Sequence, residues 1–481
     1  MDNRMAPNWA SRIMGSGVGS LLARSWLDPM VLSGLQQVFF PLSRLWAAAR
    51  TAHGDSERFW TAAAIKTHTP AQQQRVQVAL TEFERRRQRM NSAEAAWREA
   101  FWGTDSARAT AHDAAAERRL AVEKERLSVR THYNASRSHF WFLRKQLQCS
   151  VQENFVSPQD LRAHLQAATA TRSEDGADAM PDALARHFMP PSTWPQVETS
   201  AAIPGVGGES FWIRFPSPSP WMRDTVYARV YQPVAAVNPP TLIYGHGICV
   251  DFDHWDNLVD PINWLPQMGI RVIRPEGPWH GRRVPDGYFG GEYFLSSAPQ
   301  GAFDYFSAQH QEWASLIHWA RATSSAPLAV GGCSLGALSA QMLAIRARDW
   351  PRELQPDVLF LVTHSQHLEE VTLDGALSDI WGLHEKLHAL GWTRQNMQQY
   401  FASFAATGKP VMPGSRIISV LGAEDNVTPF ASGKRQQEEW QLPAANRFIW
   451  PCGHFTVPMR LIRDQQPFRR LLELLLQPKI S

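Results

Sequence analysis

The sequence predicts an α/β fold, a mostly parallel sheet flanked by helices, preceded by an all-α helical region. Three observations carry this. From about Glu209 onward, short apolar or alternating runs recur between helical stretches, as strands do when crossover helices connect them. One such run, from Leu328, passes through Gly332-Cys333-Ser334-Leu335-Gly336 straight into an Ala/Leu-rich segment, which reads as buried strand, sharp turn and helix. Before about residue 195 the periodicity is helical and broken by prolines.

At 481 residues the chain is long for one compact domain, and two are expected: a helical region over 1–195 and a catalytic-looking domain over 196–481. A net charge of +3 is too mild to demand a nucleic-acid partner. The four cysteines, Cys149, Cys249, Cys333 and Cys452, lack the spacing of a disulfide framework. They read as reduced thiols, in keeping with a cytoplasmic protein. No apolar run reaches the length of a membrane span, and residues 1–23 make a poor signal peptide because Gly and Ser interrupt the apolar centre. Twenty tryptophans point to several amphipathic surfaces or to a broad pocket lining.

In chain order, residues 26–49 read as short amphipathic helices broken by Pro29 and Pro41. Their apolar cluster, Val38 to Leu42 with Leu45 and Trp46, suits the chain's own core, a membrane surface or a protein partner. A long helix is expected from Thr69-Pro70 to about Trp102. Gly103 stops it, and Asp105 is placed to cap a second helix running to about Gln148. An antiparallel hairpin over about 70–148 is the simplest arrangement. The basic run Arg85 to Arg89 is offset by acids on both helices, so it reads as a solvated face with i,i+4 pairs. A linker is expected over about 172–195, where polar residues give way to prolines.

Residues 212–215 and 226–231 alternate like half-buried strands. Residues 241–244 form a short buried strand that ends in Gly245-His246-Gly247-Ile248. A glycine-flanked loop directly after a strand can aim a backbone N–H at a ligand. The Ile248 amide is therefore one candidate oxyanion donor, and the Leu335 amide, just after Ser334, is the other. His246 has two readings, a base or a brace for its own loop, and bracing is preferred. Strand 270–273 leads into a loop bearing His280, Arg282 and Arg283. These either recognise an anionic part of a substrate or pair with Asp286 or Glu292 to hold the loop. With His246, His280 and Arg282 are the candidate substrate contacts.

Residues 309–322 read as a helix feeding the strand that precedes Ser334. Strand 357–362 follows, then a helical insertion over about 366–410 suited to covering a site. Strand 415–421 ends at Asp425, which also fits an Asx turn before Pro429. Strand 447–450 ends at His454, and an amphipathic helix over 460–476 closes the chain. Ser334, Asp425 and His454 thus each follow a strand, and a parallel sheet collects such loops along one edge. A serine hydroxyl is a weak nucleophile at neutral pH. An adjacent imidazole takes its proton, and a carboxylate holds the imidazole's tautomer and steadies its charge.

Together, Gly245-His246-Gly247, Gly332-x-Ser334-x-Gly336, Gly422-x-x-Asp425 and Gly453-His454 resemble the α/β-hydrolase superfamily, in its esterase and dienelactone-hydrolase-like branches. The resemblance spans about residues 209–478 and leaves the first third uncovered. The segment Pro278-x-His280-Gly281-Arg282 is also loosely similar to a group of α/β-hydrolase-domain-containing proteins. The resemblance implies a parallel sheet with an acyl-enzyme route, in which Ser334 attacks, His454 moves the proton and Asp425 orients it. Glu424 is the neighbouring acid.

The expected function is a serine hydrolase acting on a small-molecule ester or related acyl bond, with no cofactor, no metal and no nucleic-acid partner. For the N-terminal helices, packing on the chain's own core is the preferred reading, with a peripheral membrane or protein contact as the other. The alternative is a non-catalytic scaffold whose helical region does the binding. A metal site from Cys249, Cys333, Cys452 and His454 is a third reading, which no paired Cys-x-x-Cys spacing supports.

Overall fold

Runs of two to nine residues, Val-, Ile- and Leu-rich at the centre, pair into one mixed sheet in the computed structural model, which describes residues 26–103, 115–147, 149–170, 184–234, 237–249, 262–404 and 408–478. Residues 1–23, Asp105, Gln148 and residues 172–183 of the expected linker lie outside the described residues. The strands are β1 (Glu198–Thr199), β2 (Ile203–Gly205), β3 (Gly208–Pro216), β4 (Thr225–Pro233), β5 (Thr241–Gly245), β6 (Arg271–Pro275), β7 (Leu328–Cys333), β8 (Val358–Val362), β9 (Ile417–Gly422) and β10 (Arg447–Trp450). Their order is β1-β3-β4-β6-β5-β7-β8-β9-β10, with β2 also on β3. From β6 to β10 all neighbours run parallel, and the N-terminal strands join antiparallel.

The central strands β5 to β9 are buried along their whole length, because helices cover both faces. One face packs on Gln300–Thr323 and Leu335–Arg346 through Trp313, Leu316 and Leu343, and the other on the C-terminal helix through Phe468 and Leu471. The Gln300–Thr323 helix starts earlier than its periodicity indicates. The expected closing helix is two, Thr456–Leu461 and Gln466–Leu476, with Pro467 opening the second. The insertion is four short helices between Leu368 and Phe404.

In the first third, the Pro70–Trp102 helix begins at a capping box between Thr69 and Gln72. Its partner helix, Ala116–Ala135, ends earlier than expected and continues as a 3₁₀ stretch, Ser136–Leu143. That tighter winding brings Phe140 and Leu143 against Phe59 and Phe83. Prolines do not break the segment before residue 52. A π-helical turn, Leu35–Phe39, lets Pro41 sit at the start of the Phe40–Ala52 helix, where its missing N–H costs little. Phe40, Leu42, Leu45 and Trp46 are buried against this same chain, whereas Val38 and Phe39 are half-buried. A further helix, Pro158–Ala170, packs through Leu161 and Leu165 with the insertion.

Candidate active site

Ser334 sits between the end of β7 and the Leu335–Arg346 helix at φ +54°, ψ −117°, a conformation that side chains other than glycine rarely adopt. The turn is that sharp because backbones crowd it. β5 and β7 pair Gly245 with Gly332, and a Cβ at Gly336 would lie 2.2 Å from the Gly245 carbonyl oxygen. A Cβ at Gly332 would lie 2.4 Å from the Gly336 carbonyl carbon. Only glycine fits both places, and the turn pushes the Ser334 hydroxyl out over the sheet edge.

The loops after β9 and β10 bring two side chains to that hydroxyl. His454 Nε2 lies 3.0 Å from Ser334 Oγ, and His454 Nδ1 lies 2.9 Å from Asp425 Oδ2. The two oxygens of Asp425 do different work. Oδ1 accepts the amides of Val427 and Thr428 at 2.9 and 3.0 Å, which is the Asx turn expected before Pro429. Oδ2 faces the imidazole and also accepts the Thr428 hydroxyl at 2.9 Å. The turn and the contact with His454 therefore share one carboxylate. Glu424 is exposed, and only Asp425 faces the ring. With Nδ1–H donated to Asp425, Nε2 is left as the acceptor facing Ser334.

Ser334 borders a cavity of about 90 Å³. Ile248, Leu335, Leu338, Leu368 and Trp381 are among the residues that line it. Among the described residues its lining carries no charged side chain. Leu335 opens its helix, so its amide is one of the N–H groups that a helix leaves without an intrahelical acceptor.

A serine on a strained strand-to-helix turn, followed in chain order by an acid and a histidine from later strands of a largely parallel sheet, decides the architecture. The fold is that of the α/β-hydrolases. No family model matches the sequence, and no curated protein does. Solved structures of similar shape include a cold-adapted esterase from an Arctic intertidal metagenomic library, at 15% identity and a TM-score of 0.37 over 59% of this chain and 99% of that one. An S-formylglutathione hydrolase from Agrobacterium tumefaciens matches at 13% identity and a TM-score of 0.39 over 57% and 98%. Acetyl xylan esterase 1 from Thermoanaerobacterium sp. matches at 16% identity and a TM-score of 0.41 over 65% and 98%. Likenesses this distant say nothing of substrate or activity.

Three of the sequence-derived candidates do not reach the cavity of this α/β-hydrolase fold. His246 donates Nδ1–H to the Gly247 carbonyl at 2.8 Å and accepts the Gly277 amide on Nε2 at 3.0 Å. Burial pushes its pKa down to about 4, so the ring is neutral. His280 is bonded in the same way, to the Pro278 carbonyl at 2.8 Å and the Cys249 amide at 3.2 Å. The two rings tie the 246–249 loop, which carries Ile248, to the loop after β6. Arg282 points the other way, to Glu94 of the helical hairpin at 3.0 Å and to Glu276, and packs over the Trp97 and Trp212 rings. It borders a larger cavity of about 600 Å³ that lacks the serine. Arg283 pairs with Asp224 and Glu312.

Among the described residues, no group of three His, Cys, Asp or Glu side chains is placed to hold a metal, and no helix is long and apolar enough to cross a membrane. Sequence reading passed over Thr428. Its signal is there in the Asp425-x-x-Thr428 spacing, which returns the hydroxyl to the same carboxylate.

Proposed function

We propose that this protein is a serine hydrolase that cleaves the ester of an uncharged, apolar acyl group through an acyl-enzyme. The observation that carries the reading is the continuous contact from the Ser334 hydroxyl, which borders an apolar cavity, through His454 to Asp425. Ser334 Oγ attacks the acyl carbon as His454 Nε2 takes its proton. Asp425 holds the ring in the tautomer that allows this and offsets the charge it gains. The Ile248 and Leu335 amides receive the oxyanion. Collapse of the tetrahedral adduct expels the alcohol, which leaves with the proton from His454. Water, deprotonated at the same nitrogen, then releases the acid and restores Ser334.

The cavity accounts for the choice of acyl group, since a carboxylate there would meet no cation among the lining residues and would lose its hydration. His246 and His280 act as braces for the Ile248 amide, and Arg282 anchors the hairpin. A fluorophosphonate probe is expected to label the wild type and to leave Ser334→Ala unlabelled, and equal labelling of both removes the reading. A panel of p-nitrophenyl esters of graded chain length, with a succinyl ester among them, then measures the acyl preference. The succinyl ester is expected to be the poorest.

A further inference from the structure

The loop that carries His454 is held from behind by a residue outside the hydrolase core. Asp28, on the Leu27–Gly34 helix near the start of the chain, is 4% exposed. Its Oδ2 accepts the Phe455 amide at 3.0 Å, and its Oδ1 accepts the Thr456 hydroxyl at 3.0 Å. Thr456 Oγ1 in turn accepts the Gly453 amide at 2.9 Å. The residues on either side of His454 are therefore tied, directly or through one hydroxyl, to a single carboxylate. The approach is close enough to dictate a neighbour, because a Cβ at Gly453 would lie 2.4 Å from Asp28 Oδ2. The glycine before the histidine is thus accounted for by the carboxylate behind it.

We propose that Asp28 is a positioning residue for the hydrolytic reaction, seating the Gly453–Thr456 loop so that His454 Nε2 faces Ser334 Oγ. The inference rests on the serine-hydrolase reading above and assigns the Leu27–Gly34 helix a part in turnover. Three features argue that this is more than a surface tie. The carboxyl is buried, and burial raises its pKa while the Phe455 amide and the Thr456 hydroxyl pull it back, so these two bonds offset its desolvation. Both of its oxygens are engaged by the two residues that follow His454. And Asp425 holds the ring while Asp28 holds the backbone, so ring orientation and ring position are set separately.

The test uses the full chain, with the fluorophosphonate probe and the ester that the wild type turns over best. Asp28→Ala is expected to lower kcat by about 10- to 100-fold with KM within about twofold, the response to a displaced catalytic group rather than to a damaged acyl cavity. Asp28→Asn, whose amide oxygen can still take the Phe455 N–H, is expected to recover most of the loss. Gly453→Ala, which forces the carboxylate away without touching it, is expected to reproduce the Asp28→Ala defect. Circular dichroism and thermal unfolding accompany each variant. Should Asp28→Ala fail to fold, Asp28→Asn and Gly453→Ala decide: wild-type kcat in Gly453→Ala overturns the inference. So does a folded Asp28→Ala with wild-type kcat, or a loss that appears only in KM. A wild type that neither reacts with the probe nor turns over any ester instead refutes the hydrolase reading, and the two failures are distinct.

Discussion

Asp425 shows how one residue can serve fold and chemistry together. Its Oδ1 closes the turn after β9 through two amides, which fixes where Oδ2 points, and Oδ2 then meets both His454 Nδ1 and the Thr428 hydroxyl. Thr428 Oγ1 also lies 3.2 Å from His454 Nδ1, so the hydroxyl is within reach of both the carboxylate and the ring. Removing it takes a charge-assisted hydrogen bond from the carboxylate and leaves the turn amides in place. Thr428→Val is therefore expected to lower kcat about tenfold, within the range for hydrogen bonds to a charged group. The melting temperature is expected to move little, and Thr428→Ser should restore most of the rate. Steady-state kinetics on the three proteins checks this, and an unchanged kcat in Thr428→Val sinks it.

At the scale of elements, the first helices and the loops of the sheet edge are bonded across the fold. Arg44, on Phe40–Ala52, reaches the Gly287 carbonyl at 2.6 Å and stands 3.5 Å from Glu292. Glu292 opens the short Glu292–Ser296 helix, whose Leu295 borders the cavity at Ser334. Its two oxygens accept the amides of Gln152 and Phe289 at 2.8 and 3.0 Å. Burial pushes the Glu292 carboxyl up from 4.5 to about 7, with Arg44 and the two amides pulling the other way. A folded-state pKa above the unfolded one means that the native chain binds this proton more tightly. The stability Glu292 contributes is then fully present below pH 4.5 and is lost as pH rises through about 7. Glu292→Gln has no proton to lose. The unfolding free energy of the variant relative to wild type should climb between those two pH values and level off above, by on the order of 3 kcal/mol at most. Urea unfolding at pH 5, 6, 7 and 8 measures the difference, and a flat one contradicts the assignment.

Across the whole molecule, what could be read from the sequence follows from how local the physics is. β5, β7, β8 and β9 are legible because apolar runs bounded by Gly, Pro or Asn/Asp have few other uses. The meeting of Ser334, Asp425 and His454 was legible too, since each directly follows a strand of the parallel stretch. Contacts between distant segments carry no such pattern. Asp28 and Phe455 are 427 positions apart, and nothing at either marks the other. Arg282 next to Arg283 reads in the sequence as either a substrate contact or a loop anchor, and its partner Glu94, mid-helix in the first third, is not marked there. That pairing belongs to a buried network: Glu123 with Arg126 at 2.9 Å, Arg229 with Glu123 at 3.5 Å, and Arg282 with Glu94 and Glu276. Trp97 of the hairpin and Trp212 of β3 meet edge to face within it, 5.6 Å apart. Buried charges that lose one partner typically cost about 3–5 kcal/mol each, and an exposed core tryptophan adds to that. Residues 196–481 alone would take Glu123 from Arg229 and Glu94 from Arg282, uncover Trp212 and lack Asp28. The expectation is that this fragment, although it holds the entire sheet and Ser334, Asp425 and His454, shows no cooperative unfolding transition and no fluorophosphonate labelling. Co-expression with residues 1–195 should recover both. A fragment that folds cooperatively by itself and turns over ester at the full-length rate would establish two independent domains and reduce the interface to an accessory contact.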